Sequence, residues 1–342
     1  MKHLTRNILM LALAAFTLTS CKTKAPEAFT IAFYNVENLF DTKNDEGIRD
    51  GDFTPEGKIV WDETKYTKKL NDLARVITAI DSNNLPLIVG LAEVENLGVL
   101  QDLISKTKLQ KGNYGIVHFD SPDERGIDVA LLYRSEYFTP LHARPYPLTF
   151  DFDPDDRTRD LLYVQGVAAS KDTLHLLINH WPSRSGGKEA SDPKRQAAAL
   201  QVKSVCDSIF RYHPQANIII MGDLNDNPTD DNVLLSLNAQ RTDAQIEQGK
   251  LYNLAIEKFE KGEGTLYWRS WDLFDQIIVS GNMLSGGNAY KIESGGLQIL
   301  KEDWMLFENS RGVKVPNRMA GRDKYYGGYS DHLPVYIRLV RN

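Results

Sequence analysis

The sequence predicts one large α/β domain behind a removable leader. Three observations carry this. Segments with strand character alternate with segments of helical period along the chain. No linker, internal repeat or low-complexity tract divides the chain after residue 28. Strand after predicted strand stops at a carboxylate, an amide or an imidazole. Layered α/β folds gather ligands at one end of their strands in this way.

The leader comes first. Lys2 and Arg6 precede an apolar run over residues 8–18, followed by Leu18-Thr19-Ser20-Cys21. A basic start, a short apolar stretch and small residues before a cut site make a secretory signal. The run is too short to span a bilayer as a mature helix. Residues 1–20 are therefore expected to be removed, 21–28 to form a tether, and 29–342 to fold. Small residues directly before Cys21 resemble the lipobox of bacterial lipoproteins. That resemblance implies lipidation of Cys21 and attachment by lipid to the bacterial cell envelope, at the outer membrane or cell surface. An ordinary signal with an incidental cysteine is the plainer alternative.

The net charge is −6, and it becomes −8 once the leader takes Lys2 and Arg6, and no acid, with it. An acidic surface argues against a tight non-specific grip on nucleic acid, which needs Lys and Arg against phosphates. It does not exclude a hydrolase that releases its product. With Cys21 modified, Cys206 has no intrachain partner, so no internal disulfide is expected. Cys206 falls mid-helix and reads as a small hydrophobe. A monomer is expected.

Residues 29–34 are apolar and β-branched enough for the first strand. Asp62 caps a helix whose Tyr66, Leu70, Leu73, Ile77 and Ile80 share one face. Residues 85–91 read as a buried strand. Asn96 caps a short helix carrying Leu100, Leu103 and Ile104. Residues 129–133, 161–167 and 174–178 are further strands. Asp192-Pro193 starts a helix, since proline suits the first helical position. That helix is expected to bury Ala198, Val202, Val205, Ile209 and Tyr212. Residues 218–221, 274–279 and 334–340 complete the strands. The Asp-, Glu- and Gly-rich residues 41–62 lack the ligand spacing of an EF-hand and read as a surface loop, a lid or substrate wall. Residues 151–157 read as a solvated loop.

Chemistry concentrates at the strand ends. Met221-Gly222-Asp223-Leu224-Asn225 follows an apolar run. Gly222 permits close backbone approach, and Asp223 and Asn225 offer oxygens suited to a hard cation. Taken alone, the stretch serves equally as a polar turn. Ser330-Asp331-His332 precedes the last strand. His332 is a candidate base, or as imidazolium a stabiliser of negative charge. Neighbouring strand residues face opposite ways, so Asp331 is poorly placed to orient His332, and Asp275 is the expected partner. Asn179-His180-Trp181-Pro182-Ser183-Arg184 supplies a second histidine, with Arg184 a candidate phosphate holder. Asp128, after Arg125-Gly126, is expected to orient His180, with Arg125 over the pocket. For each arginine a structural ion pair is an equal alternative. Trp304, Tyr325, Tyr326 and Tyr329 either stack on a base or pack the core. Glu95, Asn96 and Asn38 flank the candidate positions.

In this order the segments resemble the endonuclease/exonuclease/phosphatase superfamily, the DNase-I-like group. They are Asn35 in Tyr-Asn-Val-Glu-Asn, Glu93 in Leu-Ala-Glu-Val, Asp128, His180, Gly-Asp-Leu-Asn with Asp223 and Asn225, Asp275, and Asp331-His332. The His180 segment also resembles the histidine loop of extracellular bacterial nucleases in the group. The resemblance implies a four-layer α-β-β-α sandwich and a bound Mg²⁺, with Mn²⁺ or Ca²⁺ as substitutes. It implies Asn35, Glu93 and Asp331 at the metal, and Asp223 on the attacking water. Asn225 would hold a phosphate oxygen. His332 would act as base or stabiliser, and His180 would protonate the leaving oxygen.

Three function classes follow. The first is a surface or secreted nuclease cleaving phosphodiesters. The second is a phosphatase or phosphodiesterase on inositol phosphates or phospholipid headgroups. The third is a non-catalytic surface module, disfavoured because no matched position is substituted. Expected partners are nucleic acid or another phosphate ester, and the membrane through the lipid.

Overall fold

The computed structural model describes residues 26–286, 289–321 and 323–342. The leader and Cys21 lie outside the described residues. The first sheet uses β1 (Ala28–Leu39), β2 (Ile88–Val94), β3 (Tyr114–His118) and β4 (Asp128–Arg134). The second uses β5 (Phe138–Tyr146), β6 (Leu161–Ala168), β7 (Thr173–His180), β8 (Asn217–Asp223), β9 (Ala239–Arg241), β10 (Leu251–Asn253) and β11 (Asp275–Ser280). The chain then returns to the first sheet with β12 (Tyr290–Ile292), β13 (Gln298–Ile299) and β14 (Val335–Arg341). The orders are β12-β14-β1-β2-β4-β3, with β13 on β14, and β5-β6-β7-β8-β11-β10-β9.

Side-chain alternation explains the layering. In β1, Ile31 and Phe33 enter a core shared with Leu176, Ile219, Met221 and Ile277 of the second sheet. Ala32 and Tyr34 face the other way, toward Leu70, Leu73 and Ile77 of helix α1 (Glu63–Ile80) and Leu100 of α2 (Leu97–Ser105). On the far side, Leu177, Ile218 and Ile220 pack against Ala198, Val202 and Val205 of α3 (Lys188–Tyr212). Both sheets are thus apolar on both faces, as strands sandwiched between layers must be. The result is the four-layer α-β-β-α sandwich. The two sheets approach closely at Gly90, where a Cβ would stand 2.7 Å from the Met221 sulfur. Among the described residues no helix is long and apolar enough to cross a membrane.

Asp62 and Asn96 cap α1 and α2 as expected, accepting from the Lys65 and Val99 amides at 2.9 and 3.0 Å. Other expectations need correction. β2 begins at Ile88, because Leu85 takes a left-handed φ of 59° just before Pro86. α3 begins at Lys188, one turn before Pro193, and the Asp192 carboxylate accepts from Asn232 instead of capping. Tyr212 is 73% exposed at the frayed end of α3 rather than buried. β3 and β5 were not expected at all; β5 is a largely exposed edge strand whose mixed polarity hides its period.

Candidate active site

Topology brings the polar strand ends together. β1 and β2 run parallel, as do β7 and β8, so Asn35, Glu93, His180 and Asp223 all sit at carboxyl ends. In register, His180 lies beside Asp223, and Asp223 lies beside Asp275, which opens antiparallel β11. His332 stands just before β14, fixed by a bridge to Leu266. Gly222 is required here: a Cβ would lie 2.5 Å from the Asn179 carbonyl oxygen on β7.

Glu93 is aimed by a bulge. The registers of β2 with both β1 and β4 slip around it, and its φ is 64°. Bulges beside active sites commonly re-aim a side chain in this way. Asn225, Glu37 and Asn38 also hold left-handed φ values of 50°, 50° and 54°. Non-glycine residues pay a small strain in that region, and such residues cluster at functional sites.

One oxygen is the hub. Asp223 Oδ2 accepts from Asn35 Nδ2 at 3.0 Å and lies 3.6 Å from His180 Nε2 and 3.8 Å from His332 Nε2. The other Asp223 oxygen accepts from the Asn225 amide at 2.9 Å. His332 Nδ1 contacts Asp275 Oδ2 at 2.7 Å, the pairing expected from strand geometry. His180 Nε2 also lies 4.0 Å from Glu93 Oε1. The Glu93 Oε2 atom accepts from the Asn38 amide at 3.0 Å and from Arg125 at 3.5 Å. Asn225 Nδ2 donates to the Trp181 carbonyl at 3.0 Å.

The two histidines are driven apart electrically. Burial disfavours charge on His332, but Asp275 and Asp223 outweigh it and hold the imidazole well above its ordinary value. Burial lowers His180, and Arg159, Arg125 and His332 add to the shift. The surroundings thus favour the charged form of His332 and the neutral form of His180. His180 Nδ1 is buried without a hydrogen-bond partner, so its proton belongs on Nε2, facing the carboxylates. Burial pushes Asp223 up to about 6 against the pull of His332. Burial would raise Glu93 too, yet Arg125, His332 and Arg159 hold it below the usual range.

Asp128 does not orient His180. Its carboxylate receives His118 Nε2 at 2.9 Å and the Ser121 amide at 2.9 Å. The reason is local: His118 on β3 lies across the ladder from Ala130 on β4, within reach of the Asp128 end. Arg184 is committed elsewhere, donating to the Asn225 carbonyl at 2.7 Å and to Asp226 and Asp230 at 3.1 and 2.7 Å. It braces the Asn225 turn. Arg125 does sit over Glu93 and bonds Asn38 as well. Asp331 turns to Arg318 at 3.2 Å, away from the His332–Asp275 pair. Trp304 packs edge-on against Tyr329, and Tyr325 against Trp61. Tyr326 is exposed.

Sequence reasoning missed Arg159, which is buried and donates to Asp123 at 3.0 Å and to the Trp181 carbonyl at 2.8 Å. A signal was available: Arg159-Asp160 opens β6 much as Arg125 and Asp128 lead into β4. Glu37 was also passed over. It is buried, bonded by the Met319 amide at 2.6 Å, and pushed up to about 8, by burial first and Asp331 second. A cleft of about 670 Å³ lies at the opposite end of β7 and β8 beside Lys171 and His213 and holds none of these groups. A cleft of about 360 Å³ adjoins the site, with Arg49, Arg125, Arg157, Arg159 and Lys194 in its walls.

The donors suit a divalent cation. Glu93 is held as an anion and Asn35 adds a hard amide oxygen, whereas Asp331, expected at the metal, is drawn to Arg318 instead. Ligand oxygens of Asp223 and Asp275 also lie within 4.8 Å of each other, and Asp275 Oδ1 is buried without a partner, while the charged form of His332 offers the cation no lone pair.

The fold is shared with solved structures. TDP2 of D. rerio complexed with single strand DNA product is 17% identical, covering 92% of this chain and 99% of that one, with a TM-score of 0.53. The human nocturnin catalytic domain with bound sulfate anion is 16% identical, covering 92% and 95%, with a TM-score of 0.54. A Bacteroides thetaiotaomicron mannosyl-6-phosphatase is 15% identical, covering 91% and 99%, with a TM-score of 0.52. No curated protein sequence matches the chain. The profile of the endonuclease/exonuclease/phosphatase family, whose members are phosphoric ester hydrolases generally dependent on a divalent metal, matches residues 30–341. With nearly all of the described residues inside that match, this chain belongs to the endonuclease/exonuclease/phosphatase family.

Proposed function

We propose that the chain is a Mg²⁺-dependent phosphodiesterase whose preferred ester is nucleic acid. The observation that carries this is the Asp223 carboxylate, flanked within 4 Å by one neutral and one charged histidine. Asp223 holds the attacking water and accepts its proton. His332, charged and fixed by Asp275, offsets negative charge developing on the phosphoryl group. His180 donates a hydrogen bond from Nε2 to the leaving oxygen and keeps its proton; the leaving oxygen takes its proton from solvent. The Asn225 amide spends one hydrogen on Trp181 and keeps the other for a phosphate oxygen. Glu93 and Asn35 would hold the cation. When bound, it supplies Lewis-acid neutralisation of phosphoryl charge.

The 360 Å³ cleft supports a polymer through Arg157, because phosphates flanking the scissile one need partners; Arg49, Arg159 and Lys194 there are already paired with Glu124, Asp123 and Asp156. The DNA product in the D. rerio relative supports the same reading. A phosphatase or headgroup phosphodiesterase is the second reading, favoured by the acidic balance and by the mannosyl-6-phosphatase neighbour. The protein would act at the cell envelope, anchored by lipid on Cys21. Intact mass of membrane-extracted protein checks this: an unmodified Cys21 contradicts the anchor.

A cleavage panel tests the substrate. Protein starting after Cys21 is assayed in Mg²⁺ on single-stranded DNA, RNA, mannose 6-phosphate, inositol phosphates and sphingomyelin. Cutting of DNA or RNA is expected. Turnover of another ester alone keeps the chemistry and overturns the nuclease.

A further inference from the structure

Residues 41–62 have no EF-hand spacing, yet folding gathers their acids. One ligand oxygen each from Asp45, Asp50 and Glu95 lies within 4.8 Å of the others. Asp50 and Glu95 are buried, while Asp45 is exposed. The Asp50 Oδ1 atom is sealed from solvent and accepts no hydrogen bond. Its other oxygen takes only the Asp45 amide, at 2.9 Å. Asp41 and Asp120 add negative charge around Asp45. Compensation is thin: Lys43 is 81% exposed and leans on Asp41 at 3.7 Å, and Arg49 is paired with Glu124. A buried carboxylate oxygen with neither hydrogen bond nor counter-charge is costly to keep.

We propose that Asp45, Asp50 and Glu95 form a second divalent-cation site, suited to Ca²⁺, that fastens the 41–62 loop to the end of β2. Oxygens bound to one Ca²⁺ at about 2.4 Å lie no more than about 4.8 Å apart, which the trio meets. Ca²⁺ tolerates irregular oxygen cages and sheds water readily, whereas Mg²⁺ demands near-ideal octahedral geometry and keeps its waters. Carboxylates on an irregular loop match the former. Exposed Asp45 leaves room for water ligands on the outer side. The position has a consequence for the cleft. Arg49, next to Asp50, lines the 360 Å³ cleft, and the Asp41 amide donates to Glu95. A cation here sets the wall that carries Arg49.

The test is calorimetry and melting of EDTA-treated protein carrying Glu93→Gln, which removes the candidate active-site ligand. This protein is expected to bind one Ca²⁺ and to melt about 5 °C higher at saturating Ca²⁺. Adding Asp45→Asn should weaken the binding at least tenfold; Asp45 is exposed, so folding is not at risk. Adding Asp50→Asn should abolish the Ca²⁺ gain and raise the metal-free melting temperature, because it removes an uncompensated buried charge. Absence of Ca²⁺ binding in Glu93→Gln, or binding indifferent to Asp45→Asn, overturns the proposal.

Discussion

Asp275 and Asp128 are both buried aspartates opening strands, each bonded to a histidine, yet they serve different rings. Asp275 holds His332 beside Asp223; Asp128 holds His118. Asp275→Asn is therefore expected to reduce turnover at least tenfold more than Asp128→Asn. Equal losses would mean Asp128 acts on the reaction by another route. His180→Ala and His332→Ala should each lose roughly 10²-fold or more in kcat, the usual worth of a donor placed to stabilise developing charge. Far-UV circular dichroism should be unchanged. Near-normal turnover in both variants contradicts the assignment. His175, away from the site, offers a separate pH test. Burial holds it down to about 4, with Tyr163 on its Nδ1 at 2.7 Å. The unfolded ring, near 6.5, then takes up a proton that the folded one refuses. Its contribution is full above pH 6.5 and is lost as pH falls toward 4. Urea unfolding at pH 7 and 4.5 checks this: wild type should lose more stability across that interval than His175→Gln. Equal loss argues against the shift. At this scale the sequence was most legible where strand parity decides, as for Asp275 against Asp331. It was least legible for Asp128, because β3, which carries His118, was not visible in the pattern.

Strands and their junctions do the positioning. The β7–β8 pair is parallel and tight at Gly222, and that closeness sets His180 beside Asp223. Gly222→Ala must push a methyl group against the Asn179 backbone, which cannot swing aside as a side-chain tip would. The expected destabilisation is about 1–3 kcal/mol, read by denaturant titration, with turnover falling as well. A variant as stable and active as wild type would show that the strands separate freely. The bulge at Glu93 does for β2 what the Asn225 turn does after β8: both use left-handed backbone to direct a polar side chain. Strand bodies were readable from their apolar runs. Their ends were not, because a bulge or a left-handed residue breaks the period at the place where the chemistry sits. The start of α3 was misplaced because Pro193 lies inside the helix, at its sixth residue, and not at the first position that proline favours.

The whole molecule makes the site by closing two sheets face to face. Asn35, Glu93 and His332 come from the first sheet; His180, Asp223 and Asp275 come from the second. Neither sheet alone has both the Glu93–Asn35 pair and the Asp223 carboxylate. The four layers and the family were legible because the matching segments span the whole folded chain in order. Loop acids such as Asp45 and Asp50 were not, since only folding brings them to Glu95. The most direct measurement is steady-state cleavage of single-stranded DNA and bis-p-nitrophenyl phosphate by wild type and Asp223→Asn, each in EDTA and in Mg²⁺. Wild type should turn over in Mg²⁺ and stop in EDTA, while Asp223→Asn, which keeps the shape but loses the carboxylate, should fall at least 10²-fold. Turnover in Asp223→Asn comparable to wild type, or cleavage that ignores EDTA, would contradict a metal-dependent phosphodiesterase built around Asp223.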